Sequence, residues 1–522
     1  MIISFFNSRF FLVFLFPFIL GLLTVFCFQP FNLNYINFLI IPSLFLVTSY
    51  VRKKSKNTYR NKPYLLNLFL IGYVFGVGFF LTGTYWISHS LKFDATFEFL
   101  IPISLIGLPL FLGIFFGLGN LIIGPFLQNN FTSILLFSSS FAFMDYLRAK
   151  IFTGFPWNLW AYTWSDIPEV LQTLPIIGFF SLNLMCIIIY CAPLLIIFKR
   201  KKTNFILLFL IVIIFFSNFI YGSIVIKQNN KYLQEQELDS ENSVYVKIIS
   251  PNFDLKYNLS NDDISESISK LIRYSEPEDN RKTLFVWPEG VFTGFSFDQI
   301  LMYKSLFQEA FSSNHLILFG ANTASNNLTK NEVFNSMIIS NNKLEVLFKY
   351  NKQKLVPFGE FLPFEKYISK FGMKKITEGY GSFSKGKRHD IFLLDKLKIL
   401  PLICYELIFP ELSQNQKEKN LIINISEDAW FGDTIGPNQH FAKAIFRAIE
   451  NNVFLIRSAN KGYSAFIDNK GIVKKSLNPN EAGVIELNVP IINNTYVKYK
   501  IDLIFFIFLF TCVFIFIILK KK

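Results

Sequence analysis

Apolar residues form long, almost unbroken runs over the first 226 residues, and one further run closes the chain. A helix needs about 20 mainly apolar residues to cross the hydrocarbon core of a bilayer, and each run reaches that length. The pattern therefore predicts a polytopic α-helical membrane bundle of about eight spans. These lie near 10–28, 34–51, 64–88, 98–127, 131–148, 170–198, 205–226 and 500–519.

Residues 244–490 have a different pattern, in which short apolar runs alternate with polar segments. Runs of this kind are typical of strands that are buried on both faces. Segments 260–275 and 440–451 have the composition of helices that flank such a sheet. The pattern predicts an α+β or α/β domain with these candidate strands: VYVKIIS, TLFVWPEG, LILFGAN, FNSMIIS, LEVLFKY, KILPLICYE, NLIINIS, VFLIRSAN, YSAFID and AGVIEL.

The two patterns divide the chain into parts. We expect an N-terminal helical bundle over residues 1–226, a polar linker over 227–243, the α+β domain over 244–490 and a C-terminal transmembrane helix over 500–519. The domain would then be anchored to the membrane at both of its ends.

Composition excludes an ordinary soluble protein, because 52% of the 522 residues are hydrophobic and only 17% are charged. The net charge of +14 does not indicate a nucleic-acid partner, since Lys and Arg cluster beside the apolar runs. The densest patches lie at 52–62, 199–202 and 520–522. If all three face the cytoplasm, the N-terminus is inside and residues 227–499 lie on the outer face, which in a bacterium is the periplasm.

Three features of the bundle have simple structural interpretations. The motifs GYVFG at 72–76 and GIFFG at 113–117 place small residues four apart and predict close packing of bundle helices. Asp145 and Arg148 predict a local interfacial ion pair near a span end. The Trp-rich segment 152–164 predicts an aromatic belt at the outer interface, with a lid over a lipid entrance as the alternative.

Cys404 is the first candidate for chemistry, because the other four cysteines lie inside membrane-length runs. Without a second cysteine in its compartment, it has no partner for a disulfide within the chain. No C-x-x-C motif or histidine cluster predicts a metal site, and no cofactor is expected. The four histidines are scattered along the sequence, which leaves a spatial pairing with Cys404 open.

A catalytic thiol needs a base, because a free cysteine is only a few per cent thiolate at neutral pH. Glu289 closes the apolar strand LFVWPEG, where desolvation favours a carboxylate of raised pKa. Lys352, in KYNKQKLVPFGEFLP together with Lys354 and Glu360, supplies positive charge for a tetrahedral oxyanion. Backbone N–H groups after Cys404 would complete such a site.

Four stretches carry a resemblance to a known family: WPEG, YNKQKLVPFGEFLP, LICYE and ISEDAWFGDTIGPNQH. They resemble signature segments of the nitrilase superfamily and, within it, of the bacterial apolipoprotein N-acyltransferases. The resemblance extends to the arrangement of membrane helices before the domain and one helix after it. It implies a nitrilase-like αββα sandwich, and a multi-pass protein of the bacterial inner membrane whose catalytic domain is periplasmic.

The resemblance implies that Glu289 is the general base, Lys352 the oxyanion-stabilising lysine and Cys404 the nucleophile. Lys352 is preferred to Lys354 because the family motif reads Y-x-K, then a variable residue, then His or Lys. Four more positions match supporting residues around the family's site: Glu360, Tyr405, Glu406 and Trp430.

The sequence departs from the family pattern at two places. Glu427 stands where relatives commonly have Asn before DAWF, and SPNFDLKY at 250–257 replaces a Gln-containing stretch. These departures concern contacts of the substrate loops and leave the three catalytic positions intact. Aromatic segments at 291–297, 358–364 and 429–432 are candidates to contact the bilayer, with core packing as the alternative.

The implied reaction is a ping-pong acyl transfer. Cys404 takes an acyl chain from a membrane phospholipid as a thioester, and the amine of a diacylglyceryl-cysteine on an apolipoprotein then takes it from Cys404. Two rival functions use the same features. A membrane-tethered amidase would pass the thioester to water, and a receptor would only bind a ligand, although a receptor has no use for the base, the lysine and the thiol together.

Overall fold

The computed structural model describes residues 5–58, 64–93, 95–198, 202–236, 242–256, 259–325, 332–363, 382–387, 391–394, 396–414, 418–492 and 501–520. Contacts divide the chain into two compact units. One comprises residues 1–225 and 499–522, and the other comprises residues 226–498.

The helices, in chain order, are α1 (Phe16–Leu23), α2 (Asn37–Thr58), α3 (Tyr64–Thr84), α4 (Ile101–Ile123), α5 (Phe131–Lys150), α6 (Pro168–Leu171), α7 (Leu174–Ile177), α8 (Phe179–Cys191), α9 (Leu194–Ile197), α10 (Lys202–Gln236), α11 (Asn261–Ser275), α12 (Phe297–Ile300), α13 (Lys304–Ala310), α14 (Pro410–Gln414), α15 (Gly436–Asn451) and α16 (Ile501–Lys520). The strands are β1 (Ser243–Ser250), β2 (Thr283–Val286), β3 (His315–Ala324), β4 (Val333–Ser340), β5 (Val346–Asn351), β6 (Phe392–Leu394), β7 (Leu397–Ile403), β8 (Leu421–Glu427), β9 (Phe454–Asn460), β10 (Ser464–Ile467), β11 (Val473–Leu477) and β12 (Gly483–Pro490).

Within the described residues, seven helical segments are long and apolar enough to cross a membrane. Each corresponds to one of the predicted spans, which confirms a polytopic helical bundle. The segments are Phe10–Cys27, Asn34–Lys54, Tyr64–Lys92, Phe97–Phe126, Phe179–Ile197, Lys202–Gln236 and Asp502–Leu519.

The remaining predicted span, 131–148, forms α5, which is a helix of 20 residues but does not belong to the seven. It is less apolar because it contains Ser138, Ser139, Ser140, Asp145 and Arg148. Most of its side chains are buried, and it packs against α4, α8 and α16. A helix surrounded by other helices presents little surface to lipid, so it tolerates this polar content.

Helices α3 and α4 pack through their small residues. A Cβ atom added to Gly72 would lie 2.3 Å from the carbonyl oxygen of Phe116, and one added to Gly76 would lie 2.9 Å from the Cα of Gly113. Neither position has room for a side chain, so the two backbones approach as closely as small residues allow. The prediction that these motifs pack bundle helices is confirmed.

The Trp-rich segment after α5 is buried inside the helical unit. Trp157, Trp160 and Trp164 are exposed by 1%, 0% and 5%, respectively. The ring of Trp157 packs 4.5 Å from that of Trp86, and the ring of Trp164 stacks 5.9 Å from that of Tyr190. The prediction of an aromatic belt is wrong for these three tryptophans, because a belt requires side chains that are exposed at the membrane interface.

Asp145 and Arg148 hold this segment in place. They form a local ion pair of 3.0 Å as predicted, and both side chains are buried within the protein. Arg148 also donates to the carbonyl oxygens of Phe155 and Asn158. Asn183 donates to the other carboxylate oxygen of Asp145 at 3.0 Å. These hydrogen bonds compensate the cost of burying the two charges.

Helix α10 continues to Gln236, well into the residues 227–243 that were expected to be a linker. The polar composition of that stretch favours a helix as much as a linker. The apolar part of α10 is almost entirely exposed within this chain. Such a surface is expected of a helix that faces lipid.

The described residues of the second unit form two six-stranded sheets, in the orders β12-β1-β2-β3-β4-β5 and β11-β10-β9-β8-β7-β6. Strands β1, β2 and β3 are parallel, as are β7, β8 and β9. Their neighbours β12, β4, β6 and β10 run antiparallel to them. The edge strands β5 and β11 are antiparallel to β4 and β10, so they run in the same direction as the central strands. This arrangement brings the ends of β2, β5, β7 and β8 to the same end of their sheets.

The two sheets enclose one apolar core. Val246, Ile248 and Val286 of the first sheet pack in the same cluster as Ile423 and Ile456 of the second. A separate cluster on the outer face of the first sheet includes residues of α11 and α13, and α15 packs on the second sheet. Both faces of the central strands are thus covered, which explains their continuous apolar runs. The predicted αββα sandwich is confirmed.

Candidate active site

The candidate catalytic residues follow the ends of three strands. Glu289 lies three residues after β2, Lys352 directly follows β5, and Cys404 directly follows β7. Two of these strands belong to the first sheet and one to the second. The site is therefore assembled across the sandwich from segments that are distant in sequence.

Lys352 is the centre of a buried charged cluster. Its side chain is 1% exposed, and its Nζ lies 2.9 Å from Glu360 Oε1 and 3.5 Å from Glu289 Oε1. Burial acts to lower the pKa of Lys352, but the attraction of the carboxylates of Glu289 and Glu360 outweighs it and raises the pKa. Lys352 is therefore a fixed cation at neutral pH.

Asn335 on β4 connects the two carboxylates around this lysine. Its Nδ2 donates to Glu289 Oε1 at 2.7 Å and to Glu360 Oε1 at 2.8 Å. Glu360 also accepts from the backbone N–H of Val356 at 2.9 Å. Sequence reasoning missed Asn335, because a lone Asn inside the strand FNSMIIS carries no signal of a site.

The second oxygen of Glu289 faces the end of β8. It accepts a hydrogen bond of 3.0 Å from the backbone N–H of Glu427. The side chain of Glu427 is itself buried and accepts from Asn460 Nδ2 and from the backbone N–H of Ala429. Burial raises the pKa of Glu427, and these donors only partly offset the effect. Glu427, one of the two departures from the family pattern, therefore lies beside Glu289, the predicted base.

Cys404 begins a short 3-10 turn, Cys404–Ile408, with a φ of +47°. A left-handed backbone is unusual for a residue that has a side chain, and it marks sites where the surrounding structure enforces it. Burial raises the pKa of the Cys404 thiol and Glu289 reinforces the effect, while Lys352 acts in the opposite direction. The resting thiol is therefore protonated and requires a base to react.

Glu406 ties the turn after Cys404 to the segment that follows β5. One of its oxygens accepts from the backbone N–H groups of Gln353 and Lys354 at 2.6 and 3.1 Å and from the hydroxyl of Tyr350 at 2.8 Å. The other accepts from the N–H of Ile403 at 2.8 Å. Glu406 is fully buried and connects the two strand ends that carry Cys404 and Lys352.

The other predicted residues lie on the segments that follow β5, β7 and β8. Lys354 points away, with its Nζ 4.6 Å from the ring of Phe409 and 4.0 Å from Glu411 Oε1. The ring of Tyr405 packs edge-on against that of Phe409 at 5.1 Å. Trp430 is partly exposed, on the 3-10 turn Ala429–Phe431. The structure thus brings Lys352, and not Lys354, to the two carboxylates.

A histidine that sequence reasoning left unplaced lies behind the nucleophile. His440 on α15 is completely buried, and its Nε2 lies 3.3 Å from the carbonyl oxygen of Cys404. Its contact with Cys404 is with the backbone. In the sequence, the only feature that distinguished His440 was its place at the end of the family-like segment ISEDAWFGDTIGPNQH.

The three aromatic segments have different environments. Val291, Phe292 and Phe295 belong to the core on the outer face of the first sheet, so core packing is the correct alternative for 291–297. In 429–432, Phe431 is buried as well. Phe358 in the third segment is 47% exposed. Across the described residues no group of three or more His, Cys, Asp or Glu is placed to hold a metal ion.

Comparison with known proteins identifies the family to which the second unit belongs. Residues 256–491 match the family model described as carbon-nitrogen hydrolase. An amidase of known structure from Nesterenkonia sp. is 16% identical, with a TM-score of 0.36, over 50% of this chain and 95% of the amidase. The second unit is a carbon-nitrogen hydrolase domain.

The remaining comparisons cover the helical unit and the whole chain. Residues 20–192 match the model described as apolipoprotein N-acyltransferase N-terminal domain. Apolipoprotein N-acyltransferase of Brucella melitensis is 30% identical over 88% of this chain and 86% of its own length. That of Rickettsia typhi is 31% identical over 91% of both chains. The chain belongs to the apolipoprotein N-acyltransferase family.

Proposed function

We propose that this enzyme transfers an acyl chain from a membrane phospholipid to the N-terminal amine of a diacylglyceryl-cysteine on apolipoproteins, through a thioester at Cys404. Membership of the family and the helical membrane unit support this function. The observation that carries the mechanism is the buried ammonium of Lys352, held between Glu289 and Glu360 beside Cys404.

In the first half-reaction, Glu289 takes the proton from the Cys404 thiol as the sulfur attacks the ester carbonyl of the phospholipid. The tetrahedral oxyanion that forms is stabilised by the positive charge of Lys352. The carbon–oxygen bond then breaks, and the leaving alkoxide takes the proton back from Glu289. The products are a lysophospholipid and an acyl thioester on Cys404.

In the second half-reaction, the amine of the acceptor attacks the thioester and gives a proton to Glu289. A second tetrahedral oxyanion forms at the same place, again beside Lys352. The carbon–sulfur bond breaks, and the Cys404 thiolate leaves and takes this proton from Glu289. Glu289 acts as base in both steps and Lys352 stabilises both oxyanions.

Glu360 positions Lys352 in this scheme. It lies closer to Nζ than Glu289 does, and the backbone N–H of Val356 and the amide of Asn335 fix its orientation. The ammonium is then held without Glu289 as its principal partner, which leaves that carboxylate available as the base. We assign supporting roles to Tyr405, Glu406 and Trp430.

We propose further that the catalytic domain lies in the periplasm and acts on lipids of the inner membrane. The basic patches beside the spans support this orientation when α5 is counted as the eighth span. Both substrates carry acyl chains, so a domain attached to the membrane at both ends meets them at the bilayer surface.

The destination of the acyl group separates this function from an amidase-like hydrolysis. The protein in detergent micelles is first loaded with a phospholipid whose acyl chain carries a label, and a diacylglyceryl-cysteine peptide is then added. The label should stay on the protein until the peptide arrives and should then appear as an amide on its N-terminus. Prompt release of the label as free fatty acid, with none on the peptide, would contradict acyl transfer.

A further inference from the structure

The backbone of Cys404 has a specific partner. With a φ of +47° the residue leaves β7 and enters the 3-10 turn, and its carbonyl oxygen lies 3.3 Å from Nε2 of His440. The ring comes from α15, 36 residues further along the chain. The contact therefore links the turn that carries the thiol to a helix on the second sheet.

The other side of the His440 ring faces a buried ion pair. Nδ1 lies 3.1 Å from Asp428 Oδ1 and 3.1 Å from a guanidinium nitrogen of Arg457. Arg457 also donates to Asp428 Oδ2 at 2.6 Å, and the hydroxyl of Ser426 donates to Oδ1 at 2.6 Å. All of these side chains are buried, so the ring has a fixed position and orientation.

The charges in this cluster keep the imidazole neutral. The carboxylate of Asp428 is already paired with the guanidinium of Arg457. A protonated His440 would place a second cation beside Arg457 in a site without solvent. Burial and then Arg457 lower the pKa of His440 to about 4, although Asp428 opposes the effect.

The hydrogen-bond partners also select one tautomer. The carbonyl oxygen of Cys404 only accepts, so the proton of the neutral ring has to be on Nε2 for this contact to be a hydrogen bond. Nδ1 then presents a lone pair, which accepts from the guanidinium of Arg457. The carboxylate of Asp428 also lies 3.1 Å from Nδ1, but it takes its hydrogen bonds from Arg457 and Ser426. Both nitrogens are satisfied in this form.

We propose that His440 is a positioning residue for the nucleophile: as the Nε2–H tautomer, it holds the carbonyl of Cys404 and thereby keeps the left-handed backbone that presents the thiol to Glu289 and Lys352. Asp428 and Arg457 fix the ring from behind. The inference depends on the proposed role of Cys404 as nucleophile. His440 does not touch the substrate and takes no proton during the reaction.

Substitutions at His440 distinguish two roles for this side chain: donating a hydrogen bond to the carbonyl of Cys404, and only filling space in the core. The amide nitrogen of Gln can reach the position of Nε2, whereas that of Asn reaches only the position of Nδ1. His440→Gln should form the Cys404 thioester within about tenfold of the wild-type rate. His440→Asn and His440→Leu should be slower by about 100-fold, since small misplacements of a reacting group have costs of this size. The KM for phospholipid should change little, because the ring does not touch lipid.

His315 is a matched control at the start of β3. It is equally buried, and its ring contacts backbone groups at both nitrogens, the N–H of Ser312 and the carbonyl of Glu278. His315→Gln should acylate like the wild type. A His440→Leu enzyme with wild-type acylation would overturn the proposal, as would equal losses in His440→Gln and His440→Asn.

A spectroscopic measurement does not depend on catalysis. In the intact protein with ¹⁵N-labelled histidine, the resonances that disappear in His440→Gln should show one proton-bearing nitrogen and one lone-pair nitrogen, coupled as in the Nε2–H form, and should not titrate between about pH 5.5 and 8. An imidazolium or an Nδ1–H form would refute the inference. Failure of the wild type to take acyl groups from phospholipid would instead refute the proposed function.

Discussion

Glu289 is surrounded by hydrogen-bond donors on both of its oxygens, from Asn335 and Lys352 on one and from the backbone of Glu427 on the other. Glu289→Gln keeps the shape of the side chain but cannot accept the thiol proton. We predict that it slows formation of the Cys404 thioester by about 10² to 10⁴-fold, the usual cost of losing a general base. Single-turnover acylation by labelled phospholipid measures this, and a normal rate would remove Glu289 from the role of base.

Lys352 is assigned to the oxyanion, and both half-reactions pass through one. Lys352→Met keeps the length of the side chain without its charge, so it should slow both acylation and discharge to the peptide, each by about 10² to 10³-fold. Lys354→Met is the matched control, because that side chain lies at Phe409 and Glu411. If Lys352→Met ran both steps normally and Lys354→Met ran neither, the assignment would be reversed.

His440 also makes the free energy of unfolding depend on pH, and its contribution decreases as the pH falls. Its pKa is lowered from 6.5 to about 4 in the folded protein, so between these values the unfolded chain binds a proton that the folded chain does not. This contribution to stability is complete above about pH 6.5 and is lost as the pH falls toward about 4. His440→Gln lacks it, so its melting temperature should fall less than that of the wild type between pH 7 and pH 5.

Comparing the melting temperatures of the wild type and His440→Gln removes the effect of other buried groups that titrate. Burial raises the pKa of Glu450 to about 7, which makes its contribution to stability increase as the pH falls through part of the same range. Both proteins contain Glu450, so the difference between their melting curves reports His440. Parallel curves would show that His440 is not neutral in the fold.

The sequence alone marked Cys404, Glu289 and Lys352 as candidates, because they stand in apolar surroundings or in recognisable motifs, and the structure brings Lys352 within 3.5 Å of Glu289. It was insufficient for groups that act through contacts formed only by folding. Asn335, Asp428, Arg457 and His440 come from four different elements or turns, and nothing local distinguishes them from ordinary buried polar residues.

At the level of elements, the close contact between α3 and α4 depends on glycine. A Cβ atom on Gly72 would meet the carbonyl oxygen of Phe116 at 2.3 Å, and backbone atoms cannot move without separating the helices. Gly72→Ala should destabilise the bundle by about 1 to 3 kcal/mol, which is typical of overpacking. Thermal unfolding of the purified protein, followed by its helical circular dichroism, measures the loss.

Gly107 is the matched control on α4. The nearest atom to a Cβ added there belongs to the side chain of Ile103 at 3.8 Å, an ordinary contact distance. Gly107→Ala should leave the stability unchanged or raise it by up to about 1 kcal/mol, because Ala favours a helix more than Gly does. Equal melting temperatures for the two variants would show that α3 and α4 are not packed through Gly72.

The apolar pattern predicted the buried strands well, and it failed where a strand is short or solvated. Each of the ten candidate runs contains a strand, but β6 and β11 were missed. β6 has only three residues, and β11 is a largely exposed strand of sequence VKKSL at the edge of its sheet. Neither has the continuous apolar run that marks a strand covered on both faces.

For the whole molecule, α5 decides the orientation. With α5 as a span, the three basic patches share one side of the membrane and the catalytic domain lies on the other. If α5 does not cross the membrane and the N-terminus is inside, the number of spans before the domain becomes even, and the domain lies in the cytoplasm. A reporter that is active only outside the cytoplasm should be active when fused near Asn242 and inactive after Lys202. The reverse pattern would contradict the periplasmic location.

The central claim is that Cys404 carries the acyl group. The purified full-length protein is incubated with phospholipid of defined acyl chains, and its intact mass and digested peptides are measured. We predict one added acyl chain on the peptide that contains Cys404, its absence from Cys404→Ala, and its presence when Cys27, Cys186, Cys191 and Cys512 are all replaced in a protein that still folds. An acyl adduct on another residue, or normal transfer to the acceptor peptide by Cys404→Ala, would contradict the account.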